Sequence, residues 1–144
     1  MPIIHPYLTF PGNAEEAFNF YKSVFGGEFT MIQRYKDISG SDNLGPEDAD
    51  KVMHIGLPIG NGNILMASDA VASMGKGQYT LGDNYSLSLG AQSEDEADRL
   101  FNGLSAGGQV TMPLQKTFWG AYFGMWTDKF GMQWMVNYDY NEQQ

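Results

Sequence analysis

Apolar and polar positions alternate at the start of the chain, with Pro6, Leu8 and Phe10 on one face of an extended segment over residues 3–10 and His5, Tyr7 and Thr9 on the other. The period then lengthens. Ala17, Phe20, Tyr21 and Val24 fall at i, i+3, i+4 and i+7, which predicts a helix from about 14 to 25 with one apolar stripe. Strand character returns over Glu28–Asp37, Lys51–Ile59 and Asn63–Asp69, the last two joined by Gly60-Asn61-Gly62, whose Asn-Gly pair signals a hairpin. The same order recurs downstream: a strand at 85–90, a helix carrying Ala97, Leu100, Phe101 and Leu104, then strands at 108–115, 119–127 and 132–138, with a final turn at Asp128-Lys129-Phe130-Gly131.

This recurrence extends to residue identity. Asn13–Tyr21 returns as Ser93–Phe101 at an offset of 80, with Glu16 on Glu96 and Ala17 on Ala97. Each copy opens on Asn or Ser with a Glu three residues later, the pattern of a capping box. Each closes on a Gly pair, Gly26-Gly27 and Gly107-Gly108, suited to a left-handed helix end. The pattern describes one α+β domain over 1–144 built by duplication, with modules at 1–69 and 84–140 and a linker at 70–83. Duplicated sheet modules commonly hold a ligand between them. Ile38–Asp50 is a polar loop without EF-hand spacing, and Ala70–Asn84, with Gly75, Gly77 and Gly82, is a linker or a flap.

Composition narrows the chemistry. There is no cysteine among the 144 residues, which excludes disulfides, thiolate metal sites and cysteine nucleophiles. The net charge of −9 opposes phosphate backbones, so no nucleic-acid partner is expected. No segment approaches a membrane span, and the N-terminus lacks a basic, then apolar, leader; a cytoplasmic protein without membrane association is expected. No Gly-x-Ser-x-Gly elbow and no Gly-x-Gly-x-x-Gly turn stands between a predicted strand and a predicted helix, the Gly103–Gly107 spacing lying at a helix end, which argues against a hydrolase elbow and a dinucleotide fold.

Several segments together resemble a known family. The Ala17–Tyr21 run followed by Phe25-Gly26-Gly27, with Val52-Met53-His54, Leu65–Asp69, Val110–Leu114, Phe118-Trp119-Gly120 and Asp128–Asn137, is similar to the PhnB-like branch of the vicinal-oxygen-chelate superfamily. That branch often carries a 3-demethylubiquinone-9 3-methyltransferase label, and the superfamily includes glyoxalase I, extradiol dioxygenases and antibiotic-resistance proteins. The resemblance implies an α+β fold of two tandem βαβββ modules with curled mixed sheets facing each other around a cavity. It also implies a homodimer, and up to four metal ligands from the first and last strands of the modules. A methyltransferase activity fits poorly, because this order of strands gives paired hairpins rather than a parallel sheet headed by a Gly-rich turn.

Carried onto this chain, the implied ligand positions are His5, Met66, Asn84 (or Tyr85 in the alternative register) and Met135, since the family's Glu lies four residues beyond each hairpin glycine. Only His5 is of a type that a borderline divalent ion favours. His54 is a second candidate metal ligand, in a displaced centre with His5, Asp69 and Gln133. The ligand-pocket candidates are His5, Tyr7, His54, Met66, Trp119, Phe123, Gln133 and Met135. Alternation puts Trp119 and Phe123 on one strand face, and Tyr122 and Trp126 on the other. Arg34 is expected as an exposed strand charge, with pairing to an anionic ligand as the alternative. Nine methionines suit an adaptable interior.

Three functions follow in order. The first is a binding protein for a small organic ligand, with no cofactor and without the usual metal centre. The second is a divalent-metal lyase, isomerase or dioxygenase acting on vicinal oxygens. The third is a regulatory or structural dimer.

Overall fold

The computed structural model describes residues 1–37, 45–71 and 79–142, so parts of both polar stretches, Gly75 and Gly77 among them, lie outside the described residues. Two compact units divide the chain, Met1–Thr80 and Leu81–Gln144.

In the first unit, β1 (Tyr7–Phe10) leads to α1 (Ala14–Phe25), then β2 (Met31–Arg34), β3 (Val52–Gly60) and β4 (Asn63–Asp69). The sheet order is β1-β4-β3-β2, with β1 parallel to β4 and the other pairs antiparallel. The β3–β4 hairpin turns where the sequence predicts it. Asn61 and Gly62 both have positive φ, 54° and 79°, the conformation of the mirror-image turn that matches strand twist. β2 is shorter than the predicted strand because Tyr35–Asp37 forms a 3-10 turn. The Tyr35 ring is then buried and its hydroxyl donates to the Asp69 carbonyl at 2.8 Å.

The second unit repeats the plan with β5 (Leu87–Gly90), α2 (Glu94–Ser105), β6 (Gln109–Lys116), β7 (Ala121–Thr127) and β8 (Gln133–Asp139), in sheet order β5-β8-β7-β6. The architecture is therefore α+β: two four-stranded mixed sheets, each with one helix.

Each helix buries its stripe on its own sheet. In α2 the stripe is the predicted one, Ala97, Leu100, Phe101 and Leu104. In α1 it is rotated: Ala14, Ala17, Phe18 and Tyr21 are buried, whereas Phe20 and Val24 are half-buried. Phe18 wins the inward position because it packs edge-on between Phe10 (6.1 Å) and Tyr21 (5.5 Å). On the second sheet Trp126 and Trp134 stack 5° from parallel at 6.3 Å, with Phe101 edge-on to Trp126.

The two helix starts differ although their sequences match. Ser93 accepts the Glu96 amide at 3.0 Å as expected, while the Glu96 carboxylate accepts the amide of Gln92 rather than that of Ser93. Asn13 makes no side-chain cap. Instead Asp69, 1% exposed at the end of β4, accepts the Ala14 amide on one oxygen and the Val52 amide on the other, both at 2.9 Å. One buried carboxylate thus ties α1, β3 and β4 together.

Candidate functional site

In both sheets one face packs on the helix and the other does not, and register decides which side chains share the second face. In the first sheet Tyr7 pairs with Met66, Met66 with Gly56 and Gly56 with Met31. One row further, Thr9 pairs with Ser68, and His54 with Gln33. Because directly opposite residues point the same way, these eight positions form two rows turned away from α1.

Within them Tyr7 and His54 meet. The Tyr7 hydroxyl lies 3.2 Å from His54 Nδ1, and the rings are 5.6 Å apart and 33° from parallel. His5 precedes β1, beside Ile64, whose amide donates to His5 Nδ1 at 3.3 Å.

In the second sheet the corresponding rows are Ser88, Met135, Met125 and Met112, then Gly90, Asn137, Phe123 and Gln115. Trp119, 52% exposed in the turn before β7, rests on Phe123 at 5.9 Å and on Phe118 at 5.1 Å. Tyr122 and Trp126 face the helix, as alternation predicts. The Tyr122 hydroxyl donates to Asp98 of α2 at 2.6 Å, and that bond together with burial pushes its pKa up to about 12. Gly124 has no room for a side chain, since a Cβ would meet the Phe101 ring at 2.8 Å.

The register corrects one expectation. Met66 and Met135 both lie four residues past a hairpin glycine, and their β1 and β5 partners are Tyr7 and Ser88, 81 positions apart. Leu89 therefore corresponds to Leu8, and Ser86, rather than Asn84 or Tyr85, corresponds to His5. The second module is therefore one residue shorter than the first between strand and helix. The same correspondence puts Phe123 of β7 where His54 stands in β3, since each sits two residues from the partner of the matched methionine.

The implied divalent metal is not matched by the residues present. His5, Met66, Ser86 and Met135 supply one imidazole, two thioethers and a hydroxyl, a poor set for zinc, iron or manganese. His5 Nδ1 accepts a backbone amide, which leaves the proton of the neutral ring on Nε2. A displaced centre fares no better. Both Asp69 oxygens accept backbone amides, and Gln133 is a brace whose Nε2 donates to the Gly82 carbonyl at 3.2 Å. Among the described residues there is no group of three or more His, Cys, Asp or Glu side chains able to hold a metal ion.

Arg34 corrects both of its expected roles. It is 27% exposed, and its two Nη atoms each lie 3.0 Å from a Glu15 oxygen, with Nη1 also donating to the Asp50 carbonyl at 2.9 Å. The Arg34 guanidinium holds the Glu15 carboxyl below the usual carboxylate range. Of the predicted pocket residues, the structure brings together Tyr7, His54 and Met66 on the first sheet, and Phe123, Trp119 and Met135 on the second. The strand pattern alone passed over Gln33, Ser68, Met31, Met112 and Met125. Period-2 alternation places each of them on a face, but only the ladder register aligns them with the others.

A family model described as 3-demethylubiquinone-9 3-methyltransferase matches residues 2–137. Protein YjdN of Escherichia coli K12 is 34% identical, with 95% of each chain covered. Among solved structures, protein PA1353 from Pseudomonas aeruginosa is 40% identical with a TM-score of 0.81, covering 96% of this chain and 98% of its own. A PhnB protein from Bacillus cereus, itself described as a putative 3-demethylubiquinone-9 3-methyltransferase, is 30% identical with a TM-score of 0.70, covering 95% and 99%. The likeness to the fosfomycin resistance protein FosX of Listeria monocytogenes, solved with Mn(II) and sulfate, is one of fold alone: 13% identity and a TM-score of 0.64 over 99% of this chain and 95% of that one. This chain belongs to the PhnB-like family described as 3-demethylubiquinone-9 3-methyltransferase.

Proposed function

We propose that this protein binds a small organic molecule through the helix-free faces of its sheets, without the divalent-metal centre of its superfamily. The observation that carries the reading is the donor set at the matched strand positions: two thioethers, a hydroxyl, and an imidazole whose Nδ1 already accepts a backbone amide. Such positions give an apolar, polarisable surface that suits organic ligands better than hard cations. Trp119, packed edge-on against Phe123, adds an exposed aromatic surface. On this reading the protein works as a cytoplasmic homodimer, and a monomer in solution scattering would contradict that part.

The test is elemental analysis of protein purified without a metal-affinity tag, then titration with Mn²⁺, Ni²⁺, Zn²⁺ and Fe²⁺. The expected result is substoichiometric metal and weak binding that His5→Ala and His54→Ala leave unchanged. A near-stoichiometric ion lost in either variant would overturn the metal-free reading and favour a metal-dependent lyase, isomerase or dioxygenase.

A further inference from the structure

Both histidines of the chain lie on or beside the helix-free face of the first sheet, and their surroundings differ from the rest of this acidic protein. The two rows described above contain no Asp or Glu, although the chain has 17 acidic residues against 8 basic ones. The acids near these rows in sequence are engaged elsewhere: Asp69 accepts backbone amides, Asp37 accepts the Arg34 amide, Asp50 pairs with Lys36 and Glu15 is held by Arg34. What the face presents instead are polar groups able to donate. Thr9, Ser68 and Gln33 make no side-chain hydrogen bond among the described residues, and Ser68 is nevertheless only 6% exposed.

The Tyr7–His54 pair always keeps a proton for something else. If the Tyr7 hydroxyl donates to Nδ1, the neutral imidazole carries its proton on Nε2, directed away from the pair. If Nδ1–H donates to the phenol oxygen, the phenol proton is the one left free. Either tautomer offers one outward donor, beside the Ser68 hydroxyl and the Gln33 amide in the same row.

We propose that this face holds the oxygen-rich end of the ligand: the Tyr7–His54 pair, with Ser68 and Gln33, receives a carboxylate or a comparable oxyanion. A carboxylate accepts from several donors at once, and bonds to an ionised acceptor are roughly twice as strong as neutral ones. A carboxylate lining would repel such a group, and these rows have none. The proposal rests on the small-molecule reading and names the chemistry of one end of the ligand.

The test uses the full chain, with benzoate as probe and benzamide as its uncharged isostere. Binding is followed by NMR of the imidazole carbons and by Trp119 emission in a Trp126→Phe/Trp134→Phe background whose fold is checked by circular dichroism. The expected result is saturable movement of the His54 resonances with benzoate, tighter binding of benzoate than of benzamide, and about tenfold weaker benzoate binding in Tyr7→Phe and His54→Gln. Melting temperatures of those two variants should stay near wild type, which separates lost recognition from lost fold. Equal binding of the two probes, or changes confined to Trp119, would overturn the oxyanion assignment while leaving small-molecule binding intact. Silence of both reporters with both probes would overturn the assignment and count against the binding reading as well.

Discussion

Asp69 caps a helix that Asn13 precedes: the carboxylate at the end of β4 accepts the Ala14 amide at 2.9 Å, while the Asn13 side-chain oxygen is buried without a hydrogen bond among the described residues. Asp69→Ala leaves the Ala14 and Val52 amides unmet inside the unit and is expected to cost about 3 kcal/mol. Asn13→Ala is expected to cost less than about 1 kcal/mol, the low end for a cap residue, since it removes no cap bond. Urea denaturation of the two variants checks the order; a larger loss in Asn13→Ala would return the capping role to Asn13.

Gly124 is required by the approach of α2 to β7. A methyl group there would meet the Phe101 ring at 2.8 Å and the Leu114 Cα at 3.0 Å. Gly124→Ala should destabilise by about 1–3 kcal/mol. Phe101→Leu should recover only part of that loss, because the Leu114 backbone cannot yield as a ring can. Thermal melts of the single and double variants supply the comparison.

Alkaline titration should find Tyr122 and Tyr140 among the late-ionising tyrosines. The Asp98 bond, then burial, raises the first to about 12, and burial, then the Glu94 bond, raises the second to about 12. An acid whose folded pKa lies above its unfolded value near 10 stabilises the fold below pH 10 and loses that contribution as pH rises towards 12. Stability should therefore fall across that window, and less steeply in Tyr122→Phe. Absorbance of phenolate should show Tyr122 and Tyr140 ionising only as pH rises towards 12, with Tyr35 also held above the usual phenol range by burial; titration of all eight near pH 10 would contradict the assignment.

Trp119 should be nearly dispensable for folding. It is 52% exposed, while Trp126 and Trp134 are each 1% exposed and stacked. Trp119→Ala is expected to shift unfolding by less than about 1 kcal/mol, and to remove the red-shifted, acrylamide-quenchable part of the emission. Persistence of that component would mean that one of the other tryptophans is accessible.

Much of this molecule was legible as sequence because its elements are specified locally. The bounds of α1 and the buried stripe of α2 follow from 3.6-residue spacing, and the Asn61-Gly62 turn follows from the backbone freedom of those two residues. The opposed faces of Tyr122 and Phe123 follow from period-2 alternation. The absence of cysteine and of a full set of metal-binding side chains at the matched strand positions was also fixed in the residue types themselves.

What tertiary structure decided was register and competition. β1 and β5 are four residues each and pair in parallel with strands more than forty residues later, so no turn sets their offset. A shift of two keeps every side chain on its face, and periodicity cannot tell Ser86 from Asn84 as the counterpart of His5. Competition likewise chose Asp69 over Asn13 for the first helix start, Phe18 over Phe20 for the core, and Glu15 as the partner of Arg34. It also set Tyr7 against His54, 47 residues apart in sequence, because two strands that never meet directly both flank β4. Local chemistry determines which element forms, but a contact between distant residues exists only after the whole sheet has settled on one register.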